Sequence, residues 1–301
     1  MKNKCSVCFF GSLQKILTTG KYKIYHCDFC KCVRVAPFPS DKEIEAYYKK
    51  FDYKTGFVTE KLIRKEAKKT LKILSKYKRT GSLLDIGCGA GFYLDEAKKR
   101  GWSVTGVEMS KQLSEYANKN LQVKVLNQDF LKTNLKPRKF DIVILSQVIE
   151  HLKDPYPMLA KIHKVLNDDG LLYIATPNIE SWLFYIQKEL FPYIIPLEHV
   201  FLYGPRSLTI LLNKSGFKVK AISTYGYQQD LAAIIKHLVK KKDIRQSSLE
   251  PSANYQEYPN HPVKLLKYII FDKLLCGSLH RLLNMKNRGS MVQIIAEKCP
   301  R

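Results

Sequence analysis

Leu83-Leu84-Asp85-Ile86-Gly87-Cys88-Gly89-Ala90-Gly91 decides the fold. A short apolar run breaks abruptly into alternating glycines. It reads as a buried parallel-sheet strand whose following loop can take positive φ and approach a ligand closely before Phe92 starts a helix. A ligand of phosphate or nucleoside type is expected at the strand's carboxyl end. The dinucleotide fingerprint G-x-G-x-x-G would place its third glycine at 92, where Phe92 stands, and does not call for an acidic residue before the first glycine. The spacing here is D-x-G-x-G-x-G. Glu108 lies 21 residues after Gly87, behind Val104-Thr105-Gly106-Val107. A carboxylate at the end of that second strand can accept both hydroxyls of a ribose.

Working outward, strand and helix patterns alternate. Lys61 to Lys78 reads as a basic amphipathic helix with Leu62, Ala67, Leu71, Leu74 and Tyr77 on its apolar side and its charges in solvent. Leu94 to Arg100 completes the helix after the loop, Ser103 to Val107 is the second strand, and Ser110 caps a helix reaching Asn118. Val123 to Leu126 and Phe140 to Ser146 are strands. Met158 to Leu166 is a helix ended by Asp168-Asp169-Gly170, and Leu171 to Ala175 is the fifth strand. Ser207 to Ser215 is a helix capped by Gly216, Phe217 to Ser223 the sixth strand, and Met291 to Glu297 the last. The expected fold is α/β: a doubly wound, mostly parallel seven-stranded Rossmann-like sheet with right-handed crossovers. Two segments interrupt it. One, Trp182 to Pro196, is too aromatic for an ordinary solvent loop. The other, 226–290, holds a polar stretch from Gln246 to Pro262 and a basic amphipathic helix from Lys264 to about Asn284.

The first 32 residues carry five of the eight cysteines: Cys5-x2-Cys8, an 18-residue spacer, Cys27-x2-Cys30, then Cys32. Two thiolate pairs at this spacing can close a tetrahedral zinc shell, the metal replacing the core so short a segment cannot build. The ligand set is Cys5, Cys8, Cys27 and Cys30, with Cys32 as an alternative to Cys30. A structural zinc ribbon is expected, with a ribbon strand over Tyr22-Lys23-Ile24-Tyr25. Pro37 and Pro39 mark a linker into Tyr47, Tyr48, Phe51 and Tyr53, aromatics that either dock the ribbon or cover a bound ligand. The expected domains are a ribbon at 1–38, a helical linker or cap at 39–79, and an α/β domain at 80–301 with insertions at about 179–206 and 226–290.

With 301 residues, 45% apolar and 26% charged, the chain is ordinary for a globular protein, but its net charge of +24 is not. That charge fits an anionic partner, or merely a lysine-rich composition, since Lys outnumbers Arg about four to one and planar phosphate recognition favours Arg. No stretch has the order of a signal peptide or the ~18 apolar residues of a membrane span. Cytoplasmic placement is expected. The 264–284 helix either packs on protein or makes peripheral contact with an anionic membrane surface.

The D-x-G-x-G-x-G loop with Glu108 resembles motif I of the class I S-adenosylmethionine-dependent methyltransferases. Phe140 to Pro155 resembles the D-x-x-x-x-x-x-V-x-E-H-x-x-D-P segment of ubiquinone-biosynthesis and related small-molecule members. The resemblance spans residues 5 to about 225 and again 291–298, the four-cysteine ribbon included. It implies a seven-stranded methyltransferase sheet binding S-adenosylmethionine through Asp85, Gly87, Cys88, Gly89, Gly91, Glu108, Met109, Asp129, Phe130, Ser146 and Gln147. In it, Asp129 accepts from the adenine amino group, the Phe130 backbone N–H meets the ring, and Ser146 and Gln147 line the methionine end. Glu150 and His151 stand at the mouth, either as base or metal ligand or merely fixing the loop. His199, in Pro196-Leu197-Glu198-His199, is a further catalytic candidate on the substrate side. The quinone O-methyltransferases have Glu where this chain has Gln147, which removes a carboxylate from any metal there.

The resulting expectation is a methyltransferase acting on a small-molecule, sugar or lipid-linked acceptor. One rival is an RNA-modifying methyltransferase, suited by the charge and the ribbon. Against it, the fourth strand is followed by Ser146-Gln147-Val148-Ile149 instead of an N-P-P-Y-type motif, and no RNA-binding module is recognisable. The other is a non-catalytic cofactor-binding protein on the same fold.

Overall fold

Apolar residues with period 2 in the first 36 residues build a small antiparallel sheet: β1 (Leu13–Thr19), β2 (Tyr22–Cys27) and β3 (Val33–Ala36). The computed structural model describes residues 4–48, 60–135, 139–227, 230 and 287–299. Phe51, Tyr53, the Gln246 to Pro262 stretch and the Lys264 to Asn284 helix lie outside the described residues. Along the chain follow α1 (Asp41–Tyr48), α2 (Glu60–Leu74), β4 (Ser82–Ile86), α3 (Phe92–Lys98), β5 (Ser103–Glu108), α4 (Lys111–Asn120), β6 (Val125–Asn127) and β7 (Phe140–Ser146). After these come α5 (Tyr156–Val165), β8 (Leu166–Pro177), α6 (Trp182–Gln187), β9 (Phe201–Leu202), α7 (Pro205–Lys214), β10 (Phe217–Tyr225) and β11 (Met291–Lys298). None of the described helices is long and apolar enough to cross a membrane.

Contacts divide the described chain into two compact units. One gathers the described residues of Met1–Lys50, Thr176–Leu211 and Ile222–Gln293, the other those of Phe51–Ala175, Leu212–Ala221 and Ile294–Arg301. In the first unit, β9 joins the ribbon sheet, giving the order β1-β2-β3-β9 with Val33 opposite Leu202 and Arg34 opposite Phe201. The aromatic insertion is therefore core. Leu183, Phe191 and Leu202 pack with Leu17, Ile24, Val33 and Val35, and Phe184 and Tyr193 flank them.

The larger sheet has seven strands in the order β10-β11-β8-β7-β4-β5-β6. Parallel pairing joins β4 to β5 and β7, β5 to β6, and β7 to β8. The mostly parallel seven-stranded sheet expected from the sequence is thus present, with its last strand inserted between the fifth and sixth. Leu83, Ile142, Ile144, Leu171 and Tyr173 bury their sheet face against Ala67, Leu71 and Leu74 of α2 and Leu94 and Ala97 of α3.

Three local expectations are corrected. Tyr77 lies past the end of α2 and is 43% exposed, while Thr70 takes its place on the buried face. The charges of α2 are not all in solvent. Arg64 pairs with Asp95 and with Glu60 at 2.6 Å, and its guanidinium stands 4.9 Å over the Phe92 ring. Asp168-Asp169-Gly170 does not stop a helix, because α5 passes straight into β8 at Leu166, which pairs with Phe140.

Candidate functional site

The glycine loop sits at the carboxyl ends of β4 and β5 in the second unit. Gly87, Gly89 and Gly91 all take positive φ, at 69°, 54° and 81°. At Gly87 and Gly91 glycine is also needed for space. A Cβ would meet Val148 Cγ2 at 2.6 Å in the first case and Ala117 Cβ at 2.9 Å in the second. At Gly89 a Cβ would meet nothing within 4 Å, so the loop opens there onto free space of the kind a ligand against the backbone requires.

Glu108 closes the loop. Its Oε2 accepts from the Gly89 N–H and its Oε1 from the Ser110 N–H, each at 2.8 Å. Ser110 in turn caps α4 by accepting from the Leu113 N–H. Each carboxylate oxygen keeps lone-pair capacity for a hydroxyl of a bound ligand. Asp85 is buried beneath the loop. Burial, and then the neighbouring Glu108 carboxylate, push its pKa well above the usual range, favouring its protonated form. Cys88 packs inward, its Sγ 2.7 Å from where a Cβ on Gly106 would lie.

Around this loop, Met109 is 75% exposed, and its carbonyl, with that of Glu108, accepts from the Asn127 side-chain amide at 2.9 and 3.0 Å. Asp129 forms an Asx turn, Oδ1 accepting from the Leu131 N–H at 2.9 Å, while the Phe130 side chain is buried. Lys161 pins this turn by donating to the carbonyls of Phe130, Leu131 and Thr133, with its ammonium 4.9 Å over the Phe130 ring. No sequence signal points to Lys161, which stands more than thirty positions away in α5. Ser146 ends β7 half-buried. The exposed Gln147 takes φ 56° and is held by its N–H donating to the Ala175 carbonyl at 2.8 Å. A non-glycine residue in the left-handed region is uncommon, and such positions cluster at functional sites. Glu150 is fully buried and His151 half-buried, in one 3-10 turn spanning Ile149–His151.

These groups share the second unit: Asp85, Gly87, Cys88, Gly89, Gly91, Glu108, Met109, Asp129, Phe130, Ser146, Gln147, Glu150 and His151. A protein family described as a methyltransferase domain matches residues 58–222. The chain belongs to this methyltransferase domain family. A ubiquinone biosynthesis O-methyltransferase of Pelagibacter ubique is 34% identical over 113 residues, covering 35% of this chain and 46% of the relative. Its counterpart in Actinobacillus pleuropneumoniae is 28% identical over 106 residues, 32% of this chain and 45% of the relative. The chain thus spans about half the length of the curated relatives it matches. A SAM-dependent methyltransferase structure from Archaeoglobus fulgidus matches 82% of this chain and 100% of its own, with TM-score 0.54 at 21% identity. Another from Thermotoga maritima, described as a possible histamine N-methyltransferase, matches 85% and 99% with TM-score 0.51 at 19% identity. At these identities the likeness is one of fold, and it is the fold of the methyltransferase domain.

The first unit holds the remaining candidates. His199 is 7% exposed, and its Nδ1 lies 2.8 Å from the Tyr193 carbonyl oxygen. A carbonyl only accepts, so Nδ1 carries the proton of the neutral ring and Nε2 is the acceptor nitrogen. Burial lowers its pKa from 6.5 to about 4, opposed in part by that carbonyl. Between these values the unfolded chain binds the proton that the folded chain refuses. Stability therefore falls as pH drops through the window and is unaffected above it. The loss is about 3 kcal/mol in all. Urea midpoints between pH 7 and 5 are expected to fall more steeply for the wild type than for His199→Asn, whose amide can still donate to Tyr193 without titrating. Parallel curves would refute the neutral buried ring.

Cys5, Cys8, Cys27 and Cys30 are buried with their sulfurs all within 4.8 Å of one another. The Val7, Gly11 and Cys30 N–H groups donate to the sulfurs of Cys5, Cys8 and Cys27 at 3.3 to 3.4 Å. Four buried sulfur donors so oriented fit a tetrahedral zinc shell.

Proposed function

We propose that the chain is an S-adenosylmethionine-dependent methyltransferase acting on a small-molecule, sugar or lipid-linked acceptor. The observation that carries this reading is the Glu108 carboxylate tied to the Gly89 and Ser110 N–H groups beside the open space over Gly89. Such a corner accepts ribose hydroxyls and admits a nucleoside against the backbone of Gly87, Cys88, Gly89 and Gly91. Asp85 supports that loop from below, Met109 offers apolar surface to a base, and Asp129 with the Phe130 N–H supplies one acceptor and one donor for its edge. Ser146 and Gln147 are proposed to line the methionine end. When bound, S-adenosylmethionine supplies an electrophilic methyl on a sulfonium leaving group. The protein then has to align the acceptor, exclude water and take up a proton. His151, in one turn with Glu150, is a candidate base. His199 is a second candidate on its own chemistry, since its neutral ring offers Nε2 as acceptor.

We also infer that Cys5, Cys8, Cys27 and Cys30 hold a structural zinc, and that ribbon, linker and catalytic domain are distinct parts, with the expected 80–301 boundary of the last amended because Thr176–Leu211 belongs to the ribbon's unit. The relatives' name, ubiquinone biosynthesis O-methyltransferase, favours a small or lipid-linked acceptor with an oxygen nucleophile. Incubation with methyl-labelled S-adenosylmethionine and, separately, catechols, sugars, lipid extract and transfer RNA tests the reading. Label is expected in an organic small-molecule or lipid product. Label entering RNA alone would favour the rival substrate, and no transfer despite tight cofactor binding would favour a binding protein.

A lipid-linked acceptor would be reached through peripheral membrane contact by residues 264–284, where Lys264, Lys267, Lys273 and Arg281 accompany twelve apolar residues. Each basic group near an anionic surface contributes about 1 kcal/mol and is screened by salt. Co-sedimentation with anionic vesicles is expected at low salt and lost at high salt. Binding that survives conversion of Lys264, Lys267 and Lys273 to Glu would remove this part of the proposal.

A further inference from the structure

The cysteine cluster contains one more thiol than a tetrahedral shell uses. Cys32 is fully buried, with its Sγ 3.5 Å from that of Cys5 and 3.4 Å from that of Cys30. Cys5 and Cys30 are 3.6 Å apart, so the three sulfurs form a nearly equilateral triangle, and Cys8 and Cys27 form a separate pair at 3.7 Å. From Cys5, therefore, Cys30 and Cys32 are interchangeable in distance, but the group whose sulfurs all lie within 4.8 Å of one another is completed by Cys30, so Cys32 would enter the shell by a small shift of its turn toward Cys8 and Cys27.

The position of Cys32 is also distinctive in the turn that carries it. Phe9 and Lys31, each one residue past the second cysteine of its pair, both take positive φ and donate their N–H to the carbonyls of Cys5 and Cys27 at 2.9 and 3.1 Å. By that correspondence Cys32 stands where the first turn has Phe10, which is 71% exposed, whereas Cys32 is fully buried with its sulfur against those of Cys5 and Cys30. Lys31, between Cys30 and Cys32, takes φ 66°, which lets two cysteines separated by one residue turn the same way.

We propose that Cys32 is an alternative fourth ligand, so that the metal is held by Cys5, Cys8 and Cys27 together with either Cys30 or Cys32. This rests on the reading of the cluster as a zinc site. A shell with two exchangeable ligands keeps four sulfurs on the metal while one of the two thiols is briefly released, and it tolerates loss of either one.

The test measures zinc per chain, and the sulfur-to-cobalt charge-transfer band after Co(II) substitution, in wild type and in the Cys30→Ser, Cys32→Ser and doubly substituted full-length proteins. Both single variants are expected to retain one metal and a four-sulfur cobalt spectrum, with the double variant weakened by about a hundredfold or more. Loss of metal in Cys30→Ser alone, or in Cys32→Ser alone, would overturn the exchange and identify a single fixed ligand. Wild type without zinc would overturn the zinc reading itself and is seen in the first measurement. Should the variants not fold, N-ethylmaleimide labelling of zinc-loaded wild type followed by peptide mass analysis decides the matter. Label divided between Cys30 and Cys32 is expected, and label confined to one of them overturns the proposal.

Discussion

Glu108→Ala is expected to weaken S-adenosylmethionine binding at least about tenfold by calorimetry, and Asp85→Ala to do the same. A lost charge-assisted hydrogen bond costs about 1.5 to 3 kcal/mol, which converts to roughly that factor or more. For Glu108 the loss is compounded, because alanine also leaves the Gly89 and Ser110 N–H groups without their acceptor and frees the loop they hold. For Asp85 the route differs. Its carboxyl is buried under the loop with its pKa raised, so the substitution empties a packed polar position beneath the glycines. Unchanged affinity in both variants would remove the cofactor assignment.

Cys8→Ser is expected to abolish zinc binding and unfold the ribbon, and chelation of the wild type to do likewise. Apparent binding free energies of structural zinc in small domains are about 10 to 16 kcal/mol, and that energy is folding energy. Apart from the sulfurs, residues 4–12 contribute only Val7 and Gly11 to the buried interior, too little to hold two turns closed. Elemental analysis, with proteolysis of the ribbon as a second readout, checks this. Full zinc content and unchanged resistance in Cys8→Ser would count against it.

The glycine loop was legible because glycine spacing reports backbone conformation directly, and all three glycines do take positive φ. Ser110 was legible as a cap for the same local reason. What the sequence concealed depends on distance along the chain. Lys161 pins the Asp129 turn from α5, and Phe201 and Leu202 extend a ribbon sheet begun at Leu13, yet neither carries a local pattern that names its partner. The spacing of the cysteines pointed to a four-sulfur site and left Cys30 and Cys32 as alternatives. The burial of all five needed coordinates. Asp168-Asp169-Gly170 misled because turn chemistry was read without the pairing of Leu166 to Phe140 that pulls the segment into β8.

The seven-stranded sheet has its last strand, β11, between β8 and β10. On the ribosome this has a consequence in time. Once residue 225 has emerged, six of the seven strands exist, but β8 and β10 have no neighbour to join them until residues 291–298 are made more than sixty codons later. At about 5 to 20 residues per second that wait lasts on the order of 3 to 13 seconds. Throughout it β8, with Leu171, Leu172, Ile174 and Ala175 among its buried residues, presents an open apolar edge. The nascent chain is therefore expected to need a chaperone most while residues 226–290 are being made, and a ribosome stalled between those codons is expected to release an aggregation-prone sheet.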